Sequence, residues 1–155
     1  GYCLVASSKR DGQRLIAAVF GTDSENARAT ETAKLLAYGF NFFESKTFFK
    51  KGETVQSVDV FKGAARTVKA GVATDFAAAL PKRTSGEYQA RVVLAEADVV
   101  APVAAGAALG RVELVSADGK VVMQAPLVAL DAVEEGGFFR RIWDSIRLFF
   151  RGLFG

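Results

Sequence analysis

The last twenty residues of the chain, Gly136 to Gly155, constrain its fold more than any other stretch. At about 100° per residue, the apolar side chains fall in one arc of roughly 160°. They are Phe138, Phe139, Ile142, Trp143, Ile146, Phe149, Phe150, Leu153 and Phe154. The other half of the wheel holds Asp144, Ser145, Arg140, Arg141, Arg147 and Arg151, and only Leu148 is misplaced. This pattern predicts an amphipathic helix from Phe138 to Phe154.

A membrane surface is the partner that we expect for this helix. Its length would be about 25 Å, at roughly 1.5 Å per residue, which is short of a membrane span and would place four arginines in hydrocarbon. An aromatic face opposite an arginine face suits the plane of the bilayer interface, particularly an anionic one. The alternative is packing on the protein's own core, the usual role of an amphipathic helix. We favour the membrane because Gly136 and Gly137 separate the helix from the preceding domain, and because so dense an aromatic face would be a large exposed patch.

Composition excludes several classes of function. The chain has 155 residues and is 50% hydrophobic, so it can build one ordinary domain or two small ones. The net charge of +3 is concentrated in the tail, and without another basic cluster we expect no nucleic-acid partner. A single cysteine, Cys3, and the absence of histidine rule out an internal disulfide, most metal sites and every histidine-based triad. We therefore expect no metal and no cofactor.

Residues 1–45 contain two apolar strands and a helix. Tyr2 to Ser8 and Arg14 to Phe20 are strand-length runs joined by a turn that contains Asp11-Gly12, a favoured hairpin sequence. Because both runs are apolar at nearly every position, we expect cover on both faces and a buried, inert Cys3 thiol. The helix should run from Ser24 to Tyr38 and end at Gly39.

These elements indicate the closing hairpin and last helix of a larger α/β unit. Phe40, Phe42 and Phe43 should pack back on the hairpin. Because the chain begins inside an apolar strand, at Gly1-Tyr2, we expect it to be a piece of a longer protein.

Residues 46–133 show short runs of period two between glycine-rich turns, which indicates a small antiparallel β-sandwich or barrel. The predicted strands are Thr54 to Phe61, Arg66 to Val72, Glu87 to Leu94, Gly110 to Ser116, Lys120 to Gln124 and Pro126 to Leu130. The predicted fold is mostly β, in three parts: residues 1–45 as the end of a catalytic domain, 46–133 as a β domain, and 134–155 as an acidic linker and anchor helix.

No catalytic constellation is present in the sequence. No serine is followed three residues later by lysine, and Lys46-Thr47 is followed by Phe48 rather than glycine. Ser24-Glu25-Asn26 has the Ser-x-Asn spacing, but it lies at a predicted helix start, where serine is an ordinary capping residue. We therefore assign no catalytic residue.

Several motifs resemble the serine-type D-alanyl-D-alanine carboxypeptidases, the low-molecular-mass penicillin-binding proteins of peptidase family S11. The resemblance rests on Gly1-Tyr2-Cys3-Leu4-Val5-Ala6-Ser7, Arg14-Leu15-Ile16-Ala17, Gly21-Thr22-Asp23-Ser24, the stretch from Ala33 to Glu44, and Val133-Glu134-Glu135-Gly136-Gly137-Phe138-Phe139. It covers essentially the whole chain. It implies the end of a catalytic domain, then that family's second domain, then its membrane anchor.

The resemblance also implies an activity that this chain cannot perform alone. In the family, the terminal D-Ala-D-Ala of a peptidoglycan stem peptide acylates an active serine and water releases it, while β-lactams trap the acyl step. The family's Ser-x-x-Lys and Lys-Thr-Gly motifs precede the segment found here, so we expect the isolated chain to be inactive. The implied location is the periplasmic face of the bacterial inner membrane, and a homodimer there is an arrangement that the sequence leaves open.

Arg28 is the one position that the resemblance links to substrate. It is similar to a basic residue that the family places near the mouth of the active site, where a guanidinium suits a terminal carboxylate. The alternative is a solvated helix arginine paired with Glu25 or Glu31. A second hypothesis for the whole chain is a non-catalytic, membrane-anchored β-module that recruits a cell-wall partner.

Overall fold

A computed structural model describes residues 1–137, 142, 144–146 and 149. The chain divides into two compact units. Residues 1–46 and 78–87 form the first, which we call the hairpin unit; residues 47–77 and the chain from Tyr88 onward form the second, which we call the sheet unit. The three-part division drawn from the sequence stays a prediction.

One helix and ten strands precede the terminal residues, with one short 3-10 turn, Ser85–Glu87. The helix, α1, is Glu25–Phe42. The strands are β1 (Tyr2–Arg10), β2 (Gln13–Thr22), β3 (Phe43–Phe49), β4 (Thr54–Phe61), β5 (Thr67–Val72), β6 (Phe76–Pro81), β7 (Gln89–Leu94), β8 (Val99–Val100), β9 (Ala108–Val115) and β10 (Val121–Ala129). The prediction of a mostly β chain is confirmed.

The hairpin unit is built on the antiparallel pair β1–β2, against which α1 packs. Asp11 and Gly12 both have positive φ, 49° and 82°, the backbone that a two-residue hairpin turn requires. The Ser24 hydroxyl accepts a hydrogen bond from the Ala27 N–H at 3.1 Å, which caps the helix N-terminus. Short-range sequence signals therefore set both the turn and the helix start.

Two expectations for this unit were wrong. Gly39 does not end α1, which continues to Phe42. A Cβ at Gly39 would lie 2.6 Å from Leu15 Cδ1, so the glycine allows the helix to approach β2 closely. Cys3 is exposed rather than buried, because α1 covers only one face of the two-stranded hairpin.

The sheet unit is organised around a six-stranded sheet of order β7–β9–β10–β5–β4–β8. All its pairings are antiparallel except β4–β8, a parallel pair that the antiparallel prediction did not include. The central strands supply the core, whose largest fully buried side chains are Val68, Val72, Val112, Leu114 and Leu127. Period-two patterning therefore directs one face of each central strand inward.

Two features of the strands differ from the prediction. β10 runs unbroken through Pro126. Its pairing with β5 begins only at Leu127, so no hydrogen bond to β5 is lost because proline lacks an N–H. β3 and β6 pair with each other, although neither was predicted as a strand. Within the sheet unit their ends place Phe48 and Phe49 against Phe76, with ring centroids 6.3 and 6.2 Å apart.

Candidate functional site

The hairpin unit holds the serine and arginine that the sequence singled out. Ser24 is committed to capping α1, as its position predicted. In the described part of the chain, no group of three or more acidic, histidine or cysteine side chains is arranged to hold a metal ion.

Arg28 is held between α1 and the start of β1. Its Nη2 donates to Glu25 Oε1 at 2.8 Å, and its Nη1 donates to the Cys3 carbonyl at 3.4 Å. The guanidinium carbon also lies 5.8 Å from the centroid of the Tyr2 ring. The side chain keeps 32% of its surface exposed, so the ion pair leaves donors that a second carboxylate could reach.

A polar cavity of about 430 Å³ lies elsewhere in the hairpin unit, where the turn after β1 meets the end of α1. Arg10 stacks over the Phe40 ring at 4.8 Å, and Lys82 Nζ donates to the Phe40 carbonyl at 2.7 Å. Lys82 thus places a cation at the helix C-terminus, where the helix dipole favours it. Asp11 and Glu44 also line the cavity and balance the charges of Arg10 and Lys82. Both cations already contact Phe40 within the hairpin unit.

Sequence reasoning missed an ion cluster on the sheet unit. The buried carboxylate of Glu113, on β9, accepts from Arg111 Nε at 2.6 Å and from Arg91 at 2.7 Å. These hydrogen bonds, from Arg111 first and Arg91 second, hold the pKa of Glu113 below its usual 4.5. A buried carboxylate needs such donors. Arg111 lies two positions from Glu113 on the same strand, but only the pairing of β7 with β9 brings Arg91 opposite Glu113, so local sequence could not reveal the whole cluster.

The terminal residues carry the candidate site. Residues 142, 144–146 and 149 have helical backbone. Ile142 and Ile146 are exposed, and Phe149 keeps 68% of its surface accessible, whereas Asp144 is only 9% exposed. At about 100° per residue these three apolar side chains share an arc of roughly 60°, and Asp144 lies on the opposite side. Among the described terminal residues, the apolar side therefore faces outward and the acidic side chain faces the protein.

The segment before these residues is hydrogen-bonded to the sheet unit, which corrects the interpretation that the paired glycines separate the helix from the preceding domain. The Ala64 N–H donates to the Glu134 carbonyl at 2.7 Å, and the Gly136 N–H donates to the Lys62 carbonyl at 2.7 Å. A Cβ at Gly136 would lie 2.8 Å from the Gly63 carbonyl oxygen. Gly136 therefore attaches the chain to the sheet unit by close backbone approach, and does not separate it.

The other predicted anchor residues lie outside the described residues. They are Phe138, Phe139, Arg140, Arg141, Trp143, Arg147, Phe150, Arg151, Leu153 and Phe154. No helix in the described part of the chain is both long enough and apolar enough to cross a membrane.

The curated relatives of this chain include two proteins from Escherichia coli strain K12. The chain is 35% identical over 155 residues to the D-alanyl-D-alanine carboxypeptidase DacC, and 36% identical to the D-alanyl-D-alanine carboxypeptidase DacA. All of this chain is covered, but only 38% of each relative. The chain thus spans about two fifths of the length of these relatives.

Solved structures and a protein family agree with these matches. The crystal structures of penicillin-binding protein 5 from Haemophilus influenzae match with a TM-score of 0.80 and 34% identity, over 87% of this chain and 39% of that one. The family described as "Penicillin-binding protein 5, C-terminal domain" matches residues 43–135. This chain therefore belongs to the penicillin-binding protein 5 C-terminal domain family.

Proposed function

We propose that the chain is the C-terminal part of a D-alanyl-D-alanine carboxypeptidase that removes the terminal D-alanine from peptidoglycan stem peptides. Full-length coverage of the chain by relatives of that name supports the assignment. The hairpin unit would complete the catalytic sheet, and the sheet unit would hold the catalytic domain away from a membrane. β-Lactams would react with the serine of the whole protein, which this chain does not carry.

The terminal residues would bind the periplasmic face of the inner membrane as a peripheral anchor. The observation that carries this proposal is the outward direction of Ile142, Ile146 and Phe149 while Asp144 is buried. A helix that packed on the protein's own core would show the reverse arrangement, with its apolar side buried. The four arginines of the tail would complement anionic lipid headgroups.

Binding to the membrane should be reversible. Each apolar side chain would contribute on the order of 1.5–3 kcal/mol if fully buried, and each arginine about 1 kcal/mol on anionic lipid. Ordering of the side chains and loss of their hydration offset much of this sum. We therefore expect vesicle binding that weakens as salt is added, since screening reduces the arginine contribution.

Vesicle sedimentation tests the anchor. The double variant Ile146→Ser/Phe149→Ser should lower partitioning onto anionic vesicles at least about tenfold, because it removes two exposed apolar side chains. Val121→Ser/Val122→Ser is the matched control, since both valines are exposed in the sheet unit but lie on β10. Unchanged retention of the first variant, or equal loss in the control, would show that the anchor assignment is wrong.

Fluorescent-penicillin labelling of native membranes tests the enzymatic part. An antibody against this chain should recognise a labelled band well above 16.5 kDa, the mass of the chain. An antibody-reactive band near 16.5 kDa without label, and with nothing larger, would contradict the carboxypeptidase assignment. That result would favour a membrane-bound, non-catalytic β-module.

Arg28 would recognise the terminal carboxylate of the stem peptide in the whole protein. Its guanidinium is already oriented by Glu25, the Cys3 carbonyl and the Tyr2 ring, so little ordering would remain on binding. Arg28→Gln should lower kcat/KM about 10- to 100-fold, the value of a lost charge-assisted contact. Glu25→Gln removes the same ion pair but keeps the guanidinium, so it should change kcat/KM less than about threefold. Equal losses in both variants would show that the ion pair, and not substrate, explains Arg28.

A further inference from the structure

The turn after β4 has an unusual backbone that the terminal residues complete. Lys62 has φ of 59°, in the left-handed region that residues with a side chain rarely adopt. Its carbonyl accepts from the Gly136 N–H at 2.7 Å, and its own N–H donates to Asp144 Oδ2 at 2.8 Å. Both backbone polar groups of Lys62 are thus bonded to residues near the end of the chain.

Asp144 supplies the second of these contacts from a buried position. The residue is 9% exposed, and a buried carboxylate is stable only where donors replace its water. A hydrogen bond to an ionised acceptor is stronger than one between neutral groups. Because Ile142, Ile146 and Phe149 lie on the side of the wheel opposite Asp144, a contact that holds Asp144 inward also holds these side chains outward.

We infer that Asp144 is a positioning residue that fixes the terminal helical residues on the Lys62 turn of the sheet unit, so that their apolar side is presented in one direction. The bound protein would then hold the sheet unit at a fixed angle to the bilayer instead of swinging on a flexible tether. The bilayer part of this inference rests on the proposed function. The docking of Asp144 on Lys62 does not.

Amide exchange, followed by NMR, tests the docking without a membrane. In the wild-type chain the Lys62 N–H should be protected. In Asp144→Ala its exchange should accelerate at least about tenfold, because the acceptor is gone. Asp144→Asn keeps a side-chain acceptor and should restore part of the protection. Asp131→Ala is the control, because it removes an exposed aspartate of the same unit.

The outcomes separate the two proposals. An unprotected Lys62 N–H in the wild type, or equal protection in Asp144→Ala, would overturn the docking. If Asp144→Ala also lost protection at Val112 and Leu114 in the core, general unfolding would be the cause, and the wild-type and Asp144→Asn measurements would decide. Ile146→Ser/Phe149→Ser should leave Lys62 protected while vesicle binding falls, so a failed anchor leaves the docking result intact.

A bilayer measurement tests the consequence. On anionic vesicles, Asp144→Ala should retain partitioning within about threefold of wild type, since its apolar side chains are unchanged. The distance distribution between a label in the sheet unit and the vesicle surface should broaden relative to wild type. An equally narrow distribution in both proteins would overturn the fixed angle.

Discussion

In the sheet unit Leu114 and Leu127 are 0% exposed, whereas in the hairpin unit Ile16 keeps 72% and Phe20 71% of their surfaces exposed. All four are large apolar residues of strands. The central strands of the sheet unit have buried apolar side chains, so their apolar pattern is satisfied in this chain. The hairpin unit has α1 on one face of two strands and leaves apolar side chains on the other.

The two units therefore differ in how much of their apolar surface is buried within this chain. Strands that are apolar on both faces are typical of sheets covered on both sides, and a two-stranded sheet with one helix provides one cover. Under the proposed function, the remainder of a catalytic domain would supply the second. The core side chains of the sheet unit are already buried.

The largest expected effect separates the two kinds of apolar residue. Leu127→Ala should destabilise the sheet unit by about 2–5 kcal/mol, because it opens a cavity in a close-packed core. Ile16→Ala should change the stability of the hairpin unit by less than about 1 kcal/mol, because its side chain is already largely in water. Denaturant-dependent amide exchange follows each unit separately. If Ile16→Ala lowered the free energy of unfolding as much as Leu127→Ala, the proposed difference between the two units would be wrong.

A smaller effect concerns how the end of the chain attaches to the sheet unit. Gly136→Ala should cost about 1–3 kcal/mol, because the added Cβ would meet the Gly63 backbone at 2.8 Å and something must shift. Gly137→Ala is the matched control, since a Cβ there meets nothing within 4 Å. Thermal unfolding of both variants measures the difference. Equal melting temperatures would contradict the close attachment at Gly136.

The smallest expected effect is a change in how steeply the free energy of unfolding depends on pH. The folded pKa of Glu113 is lowered, so its contribution to stability is complete above the unfolded pKa of about 4.5 and is lost as pH falls through the folded pKa. Glu113→Gln should therefore lose less stability than wild type between pH 7 and pH 2. Arg111→Gln removes the hydrogen bond that lowers the pKa of Glu113 most, so the loss of stability with falling pH should be intermediate. Urea unfolding at several pH values measures the free energy of unfolding of each protein. If it changed with pH equally in wild type and both variants, the lowered pKa of Glu113 would be contradicted.

Part of the fold could be predicted from the sequence because its causes are local. Asp11-Gly12 predicted the turn between β1 and β2, and both residues have the positive φ that such a turn requires. Ser24 gave the start of α1 through a bond to a residue three positions away. β4 has the predicted bounds, because period two is a property of the strand itself.

The parts that were missed depend on residues far apart in the chain. Gly39 is a usual helix terminator, yet α1 continues past it, because the glycine is used for contact with Leu15. β3 and β6 pair across about thirty residues, and neither has an alternating pattern strong enough to reveal it. The sequence does not distinguish Glu113 from a solvent-exposed strand residue, because its partner Arg91 is brought opposite it only by the pairing of β7 with β9.

Local sterics and periodicity were enough to predict the mostly β character, the β1–β2 turn, the helix start and an apolar arc near the end of the chain. The tertiary structure was needed to show that the described side chains of that arc, Ile142, Ile146 and Phe149, face outward. An amphipathic pattern is equally compatible with an apolar side packed inward or directed outward, and the choice depends on what its polar side can bind. Here the Lys62 N–H, turned by a left-handed backbone, gives Asp144 a buried partner.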